Sequence, residues 1–179
     1  MGYWGLFIIV MLAGVVIQST LQGKFAKYSK VSLKYGYTGA DIARKMMQDN
    51  GITDVKVECI EGTLTDHYNP ATKTVNLSKK VYYGSSVAAA AVAAHECGHV
   101  VQHAVGYAPL KLRSALVPVV SFANNTVQWI LLLGMLMIRT FPTLLWIGIA
   151  LFAMTTLFSF VTLPVEINAS ARAVNWLEN

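Results

Sequence analysis

Residues 114–163 read SALVPVVSFANNTVQWILLLGMLMIRTFPTLLWIGIALFAMTTLFSFVTL, and Arg139 is their only charged residue. A hydrocarbon core of about 30 Å takes roughly 20 apolar residues in an α-helix. The stretch therefore divides into two spans, Ser114 to Ile138 and Thr140 to Leu163, with Arg139, Thr140, Phe141 and Pro142 forming the turn. Two spans joined by a short turn form a hairpin, so the chain after Leu163 returns to the side from which residue 113 departed. Asn124, Asn125 and Gln128 lie in the first half of the leading span. Amides in lipid are costly unless hydrogen-bonded, so they are expected to bond helix to helix.

Working outward, Tyr3 to Leu21 is also uncharged and would rise roughly 28 Å as a helix, enough to span. No Lys or Arg precedes it and no A-x-A site closes it, so it reads as a retained anchor rather than a signal peptide. Lys24, Lys27, Lys30 and Lys34 follow this anchor, Lys111 and Arg113 precede the hairpin, and Arg139 stands alone at the far turn. That asymmetry predicts residues 22–113 in the cytoplasm of a multi-pass cell-membrane protein, with the amino terminus outside. The composition agrees: 55% of the 179 residues are hydrophobic, 13% are charged and the mean hydropathy is +0.49. The net charge of +5 comes without a nucleic-acid recognition motif, so a lipid bilayer and not nucleic acid is the partner it implies. Cys59 and Cys97 form no disulfide framework.

The region between anchor and hairpin is a small α+β unit. Thr38 and Asp41 predict a capping box opening a helix with Ile42, Ala43, Met46 and Met47 on its apolar face, and Gly51 ends it. Val55, Val57 and Cys59 alternate as a half-buried strand. Thr63 to Tyr68 and Lys73 to Leu77 flank the turn Asn69-Pro70-Ala71-Thr72, a β-hairpin signal. Ser85 or Ser86 caps a long helix through the Ala-rich residues 87–94 to about Val105, closed by Gly106.

Within that helix lies His95-Glu96-Cys97-Gly98-His99, the pattern H-E-x-x-H. Residues four apart share a helical face, so both imidazoles can meet one metal ion. Zn2+ takes such ligands with a third protein donor and an open position for water, and Glu96 can act on that water as general base. Glu96 in an otherwise uncharged helix argues against a chance match, because a charge there is costly without a role. Downstream of His99, the candidates for third ligand are His103, Glu166 and Glu178. His103 lies two turns, about 12 Å, from His95, too far for all three to meet one ion. Glu166 follows the hairpin and Pro164, which can start a new helix, and the hairpin brings it back to the side of the imidazoles. His67 and Tyr68 lie on the β-hairpin, and by resemblance to zincin-like folds, in which such a hairpin forms an edge strand beside the site, they are candidate substrate or transition-state contacts where an extended peptide would add to the edge. Cys97 reads as a packing residue, and Gly98 admits a close neighbour.

The runs Asp66-His67-Tyr68-Asn69-Pro70, Ala94-His95-Glu96-Cys97-Gly98-His99, Gly106-Tyr107-Ala108-Pro109-Leu110 and Leu163-Pro164-Val165-Glu166 together resemble the YugP-like bacterial membrane zinc peptidases. The likeness spans nearly the whole chain. It implies a neutral zinc metallopeptidase with His95 and His99 as ligands, Glu96 catalytic and Glu166 as the gluzincin-type third ligand. Ser170 stands where the gluzincin pattern has an acidic residue that orients a ligating His. Members of the family are longer, with a further carboxy-terminal hydrophobic segment, whereas this chain stops at Asn179 inside an apparent helix.

The expected architecture is an α+β membrane protein, mostly helical: an anchor over 1–21, a zincin-like domain over 22–113, a transmembrane hairpin over 114–163 and a ligand-bearing helix over 164–179. The expected function is a membrane endopeptidase acting on peptides or membrane-protein segments near the cytoplasmic surface. Two other readings are an intramembrane-cleaving metalloprotease and a non-catalytic membrane assembly subunit tied together by zinc. A membrane-protein partner or a homo-oligomer is compatible with either.

Overall fold

The structure, a computed structural model, describes residues 3–178; the expectation of a chain ending inside a helix at Asn179 lies outside them. Among the described residues nine elements follow one another: α1 (Tyr3–Tyr28), α2 (Gly39–Asp49), β1 (Lys56–Ile60), β2 (His67–Asn69), β3 (Thr74–Ser78), α3 (Lys79–Tyr82), α4 (Val87–Ala104), α5 (Ala108–Leu136) and α6 (Thr143–Leu177). The protein is an α+β membrane protein, with a three-stranded sheet and three helices, α1, α5 and α6, long and apolar enough to cross a membrane.

Local sequence fixes the soluble layer. The Thr38 side chain accepts from the Asp41 N–H and the Asp41 carboxylate accepts from the Thr38 N–H, so the capping box forms. Gly51 takes φ +68 just past the helix, a conformation that favours glycine. Ser86 caps α4 through the Ala89 N–H, and Gly106, at φ +66, follows its end. The run Ala88–Ala94 brings α2 and the sheet close to α4, burying Met46, Val75, Leu77, Ala93, Ala94 and Cys97 in one core. Cys97 is fully buried, with Sγ 3.5 Å from the Ala43 carbonyl.

The sheet order is β1-β3-β2, with β1 parallel and β2 antiparallel to the fully buried β3. The hairpin pairs Tyr68 with Val75 and Asn69 with Thr74 around the expected turn. Its first strand is shorter than the alternation suggests. Leu64 at φ 59 and Gly62 at φ 114 break the extended chain, and Asp66 leaves the ladder to accept from the N–H and hydroxyl of Ser78. Cys59, expected to face inward, is exposed: β1 is an edge strand, and only Val55 and Val57 of the alternating set reach the core.

The membrane hairpin closes through small residues. A Cβ on Gly134 would lie 2.8 Å from the Leu145 backbone, and one on Gly148 would lie 2.7 Å from a Leu131 methyl. Pro164 does not open a new helix; it sits inside α6, which runs unbroken from the turn past Glu166. A helix of that length rises about 52 Å, well beyond the hydrocarbon thickness, so its last turns project from the membrane-spanning part.

Candidate metal centre

α4 packs against α6 where Gly98 leaves room: a Cβ there would lie 2.4 Å from the Ala169 carbonyl oxygen. This close crossing sets the His95 and His99 face of α4 against Glu166. Glu166 Oε2 lies 3.2 Å from His95 Nε2 and 3.4 Å from His99 Nε2, and the three donor atoms lie within 4.8 Å of one another. No fourth His, Cys, Asp or Glu joins this group among the described residues.

The remaining nitrogens of both imidazoles are held from behind. Gln102 is fully buried, and its Nε2 donates to the Val165 carbonyl at 2.8 Å and to Asn168 Oδ1 at 3.0 Å. Both amide hydrogens are thus directed at acceptors, so Oε1 faces His99 Nδ1 at 3.0 Å and makes it the protonated nitrogen. The Nε2 lone pair of His99 then points into the site. Ser170 Oγ, four residues after Glu166, lies 3.1 Å from His95 Nδ1, so a hydroxyl occupies the orienting position. Arg172, to which sequence spacing gives no role, donates from Nε to Asn168 Oδ1 and so steadies the partner of Gln102.

Glu96 is buried beside this group, and its Oε2 accepts from the Tyr68 backbone N–H at 3.1 Å. Burial raises its pKa above the ordinary 4.5, against the pull of His95, His99 and the Tyr68 N–H. For His99, burial opposes the charged form, yet the hydrogen bonds to Glu166 and Gln102 prevail and hold its pKa above 6.5.

The centre opens into a cavity of about 230 Å³. His67 and Tyr68 line it from β2, His103 from α4, and Leu110, Arg113 and Ser114 from the start of α5. Both ring nitrogens of His67 are engaged within the hairpin, Nδ1 with the Thr65 carbonyl and Nε2 with Asn76 Nδ2. The Tyr68 hydroxyl lies 3.1 Å from His103 Nδ1, which places His103 beside the metal group and not in it. Arg113, read from sequence only as a basic flank, brings Nη2 to 3.9 Å from Glu166 Oε1, while its buried Nε has no partner among the described residues.

The donor set suits zinc. Two imidazoles with their Nε2 atoms turned inward and one carboxylate make the three-ligand arrangement of catalytic zinc sites, which leaves one position open. Comparison with known proteins agrees with this chemistry. Residues 3–179 match the family model described as "Putative neutral zinc metallopeptidase".

The chain belongs to this family.

It is also similar to "Putative membrane protease YugP" of Bacillus subtilis (strain 168), at 45% identity over 172 residues that cover 94% of this chain and 76% of that protein. No solved structure matches the chain. Membership of the YugP-like zinc metallopeptidases and the three apolar helices make this a membrane protein of a metalloprotease family.

Proposed function

We propose that the protein is a membrane zinc endopeptidase that hydrolyses peptide bonds of peptides or membrane-protein segments at the cytoplasmic face of the cell membrane. The observation that carries this reading is the convergence of His95, His99 and Glu166 beside a buried Glu96 in an open cavity. His95 Nε2, His99 Nε2 and Glu166 Oε2 would hold the zinc. Bound there, zinc supplies a Lewis acid for the scissile carbonyl and lowers the pKa of water.

The protein's own residues do the rest. Glu96, its pKa raised by burial, takes the proton of the attacking water and passes it to the leaving amine. The Tyr68 N–H keeps the carboxylate aimed, and it can do so because it turns away from β3 on the outer edge of the sheet. An extended substrate laid along that edge passes the Tyr68 hydroxyl and its His103 partner. Three donors with no fourth among the described residues favour catalysis over a zinc that only ties the membrane hairpin to the soluble layer. α4 is covered by α2, α6 and the sheet, unlike the bare spans, which favours a site at the membrane border over cleavage within it. The cytoplasmic orientation rests on Lys24, Lys27, Lys30, Lys34, Lys111 and Arg113 on one side against Arg139 on the other.

The test is a peptide-library assay on the purified protein with zinc, comparing wild type with Glu96→Gln. Loss of a general base is expected to lower kcat by about 10²–10⁴-fold while zinc content is unchanged. Equal cleavage by the two proteins would end the enzyme reading.

A further inference from the structure

The intramembrane amides of α5 do not bond to α6. The α6-facing side of α5 is formed by Val120, Ala123 and Gly134, all buried, whereas Ser121, Asn124, Asn125 and Gln128 are exposed. The side chains of those four residues have no hydrogen-bond partner among the described residues. α1 does not cover them, since none of its membrane window is buried against the rest of the protein.

Position along the helix shows where this face leads. Leu110, Ser114, Val117, Ser121, Asn124 and Gln128 follow one another at alternating spacings of four and three, which places them in one stripe on an α-helix. Leu110 and Ser114, at the upper end of the stripe, line the cavity of the metal centre. Pro118 has no N–H to give the Ser114 carbonyl, so the helical bond to that carbonyl is missing at the join. Asn124 and Gln128 lie roughly 15 and 21 Å further along the axis, near the middle of a hydrocarbon layer about 30 Å thick. Amides at that depth favour a partner that supplies hydrogen bonds.

We propose that this stripe of α5 docks the transmembrane segment of a membrane-protein substrate, one with a polar side chain at mid-membrane, and delivers its cytoplasmic juxtamembrane segment to the metal centre. The inference rests on the peptidase reading and names its substrate class. Continuity with the cavity selects a substrate segment over a second copy of this chain. A two-fold partner on the same face would set two cavities against each other.

The experiment uses the full chain in nanodiscs with zinc. Its probes are a fluorogenic peptide that the protein cleaves, and the same peptide fused to the cytoplasmic end of a Leu-rich transmembrane helix bearing one central Asn. For the wild type, replacing that Asn by Leu is expected to raise KM of the tethered probe about tenfold without changing kcat, the scale of one or two intramembrane hydrogen bonds. For N124L/Q128L, the ratio of tethered to free kcat/KM is expected to fall by a similar factor, and the Asn-to-Leu change in the probe should then have no further effect. Equal KM for the two tethered probes on the wild type would overturn the proposal, and that comparison does not depend on how the variant folds. A wild-type dimer that N124L/Q128L converts to monomers would also overturn it, by assigning the face to a second copy. Cleavage of the free peptide separates the two levels of argument: its absence removes the peptidase reading, whereas its presence without a tether effect removes only the docking face.

Discussion

Gln102 connects the two helices that build the centre, because it binds His99 on its own helix and the Val165 carbonyl on the other. Gln102→Leu keeps the volume but leaves His99 free to rotate and to take either tautomer. Loss of such an outer partner typically costs 10–100-fold in metal affinity, and a chelator competition should show a drop of about that size. Proton competition gives a second expectation at this scale. His99 holds its proton more tightly than an ordinary imidazole, so the proton displaces metal from a pH already above 6.5 downward. Zinc affinity should therefore be fully present at alkaline pH and decline as pH falls through the raised pKa. A midpoint well below 6.5 in a zinc titration series would show that the Glu166 contact does not raise it.

The legibility of single residues follows from the range of their contacts. His95, Glu96 and His99 are readable because one helical repeat brings them together, and Thr38, Gly51, Ser86 and Gly106 because caps are local. Gln102, Asn168 and Arg113 act across elements distant in sequence, so spacing gives no sign of their partners, whereas Arg172 pairs with Asn168 one turn away on its own helix. Gln102 did carry one signal: a polar residue among Val100, Val101 and Ala104 in a buried helix requires a partner.

Among elements, the contact of α4 with α6 decides whether Glu166 reaches the imidazoles. Gly98 permits it, and the atom that a Cβ there would meet, the Ala169 carbonyl oxygen, is backbone that cannot rotate away. Gly98→Val should force the helices apart and abolish zinc binding while circular dichroism still reports the helices. The α2 cap shares no hydrogen bond with the residues of the centre among the described residues. Thr38→Ala removes the side-chain half of the capping box and should lower stability by about 1 kcal/mol without altering zinc affinity, as denaturant unfolding can show. Most element types were legible from periodicity, but the short α3 and several element ends were not. The strand before the hairpin turn stops short because Asp66 binds Ser78, and α6 continues through Pro164 because a proline, once its bond to the preceding turn is forgone, is tolerated in a membrane helix.

At the scale of the whole molecule, two distant parts of the chain form one centre because α5 and α6 make a closed excursion. A site formed in this way couples insertion to metal binding: until both spans are in place, His95 and His99 lack their carboxylate. The α5–α6 packing through Gly134 and Gly148 thus belongs to the metal centre as much as to the membrane part. The direct measurement is zinc binding by the purified, membrane-inserted protein, wild type against Glu166→Gln, with unfolding monitored in parallel. The account predicts one tightly held zinc per wild-type chain and a loss of at least tenfold in affinity for the variant at unchanged apo stability. Wild-type zinc affinity in Glu166→Gln would contradict it, since the hairpin would then deliver no ligand.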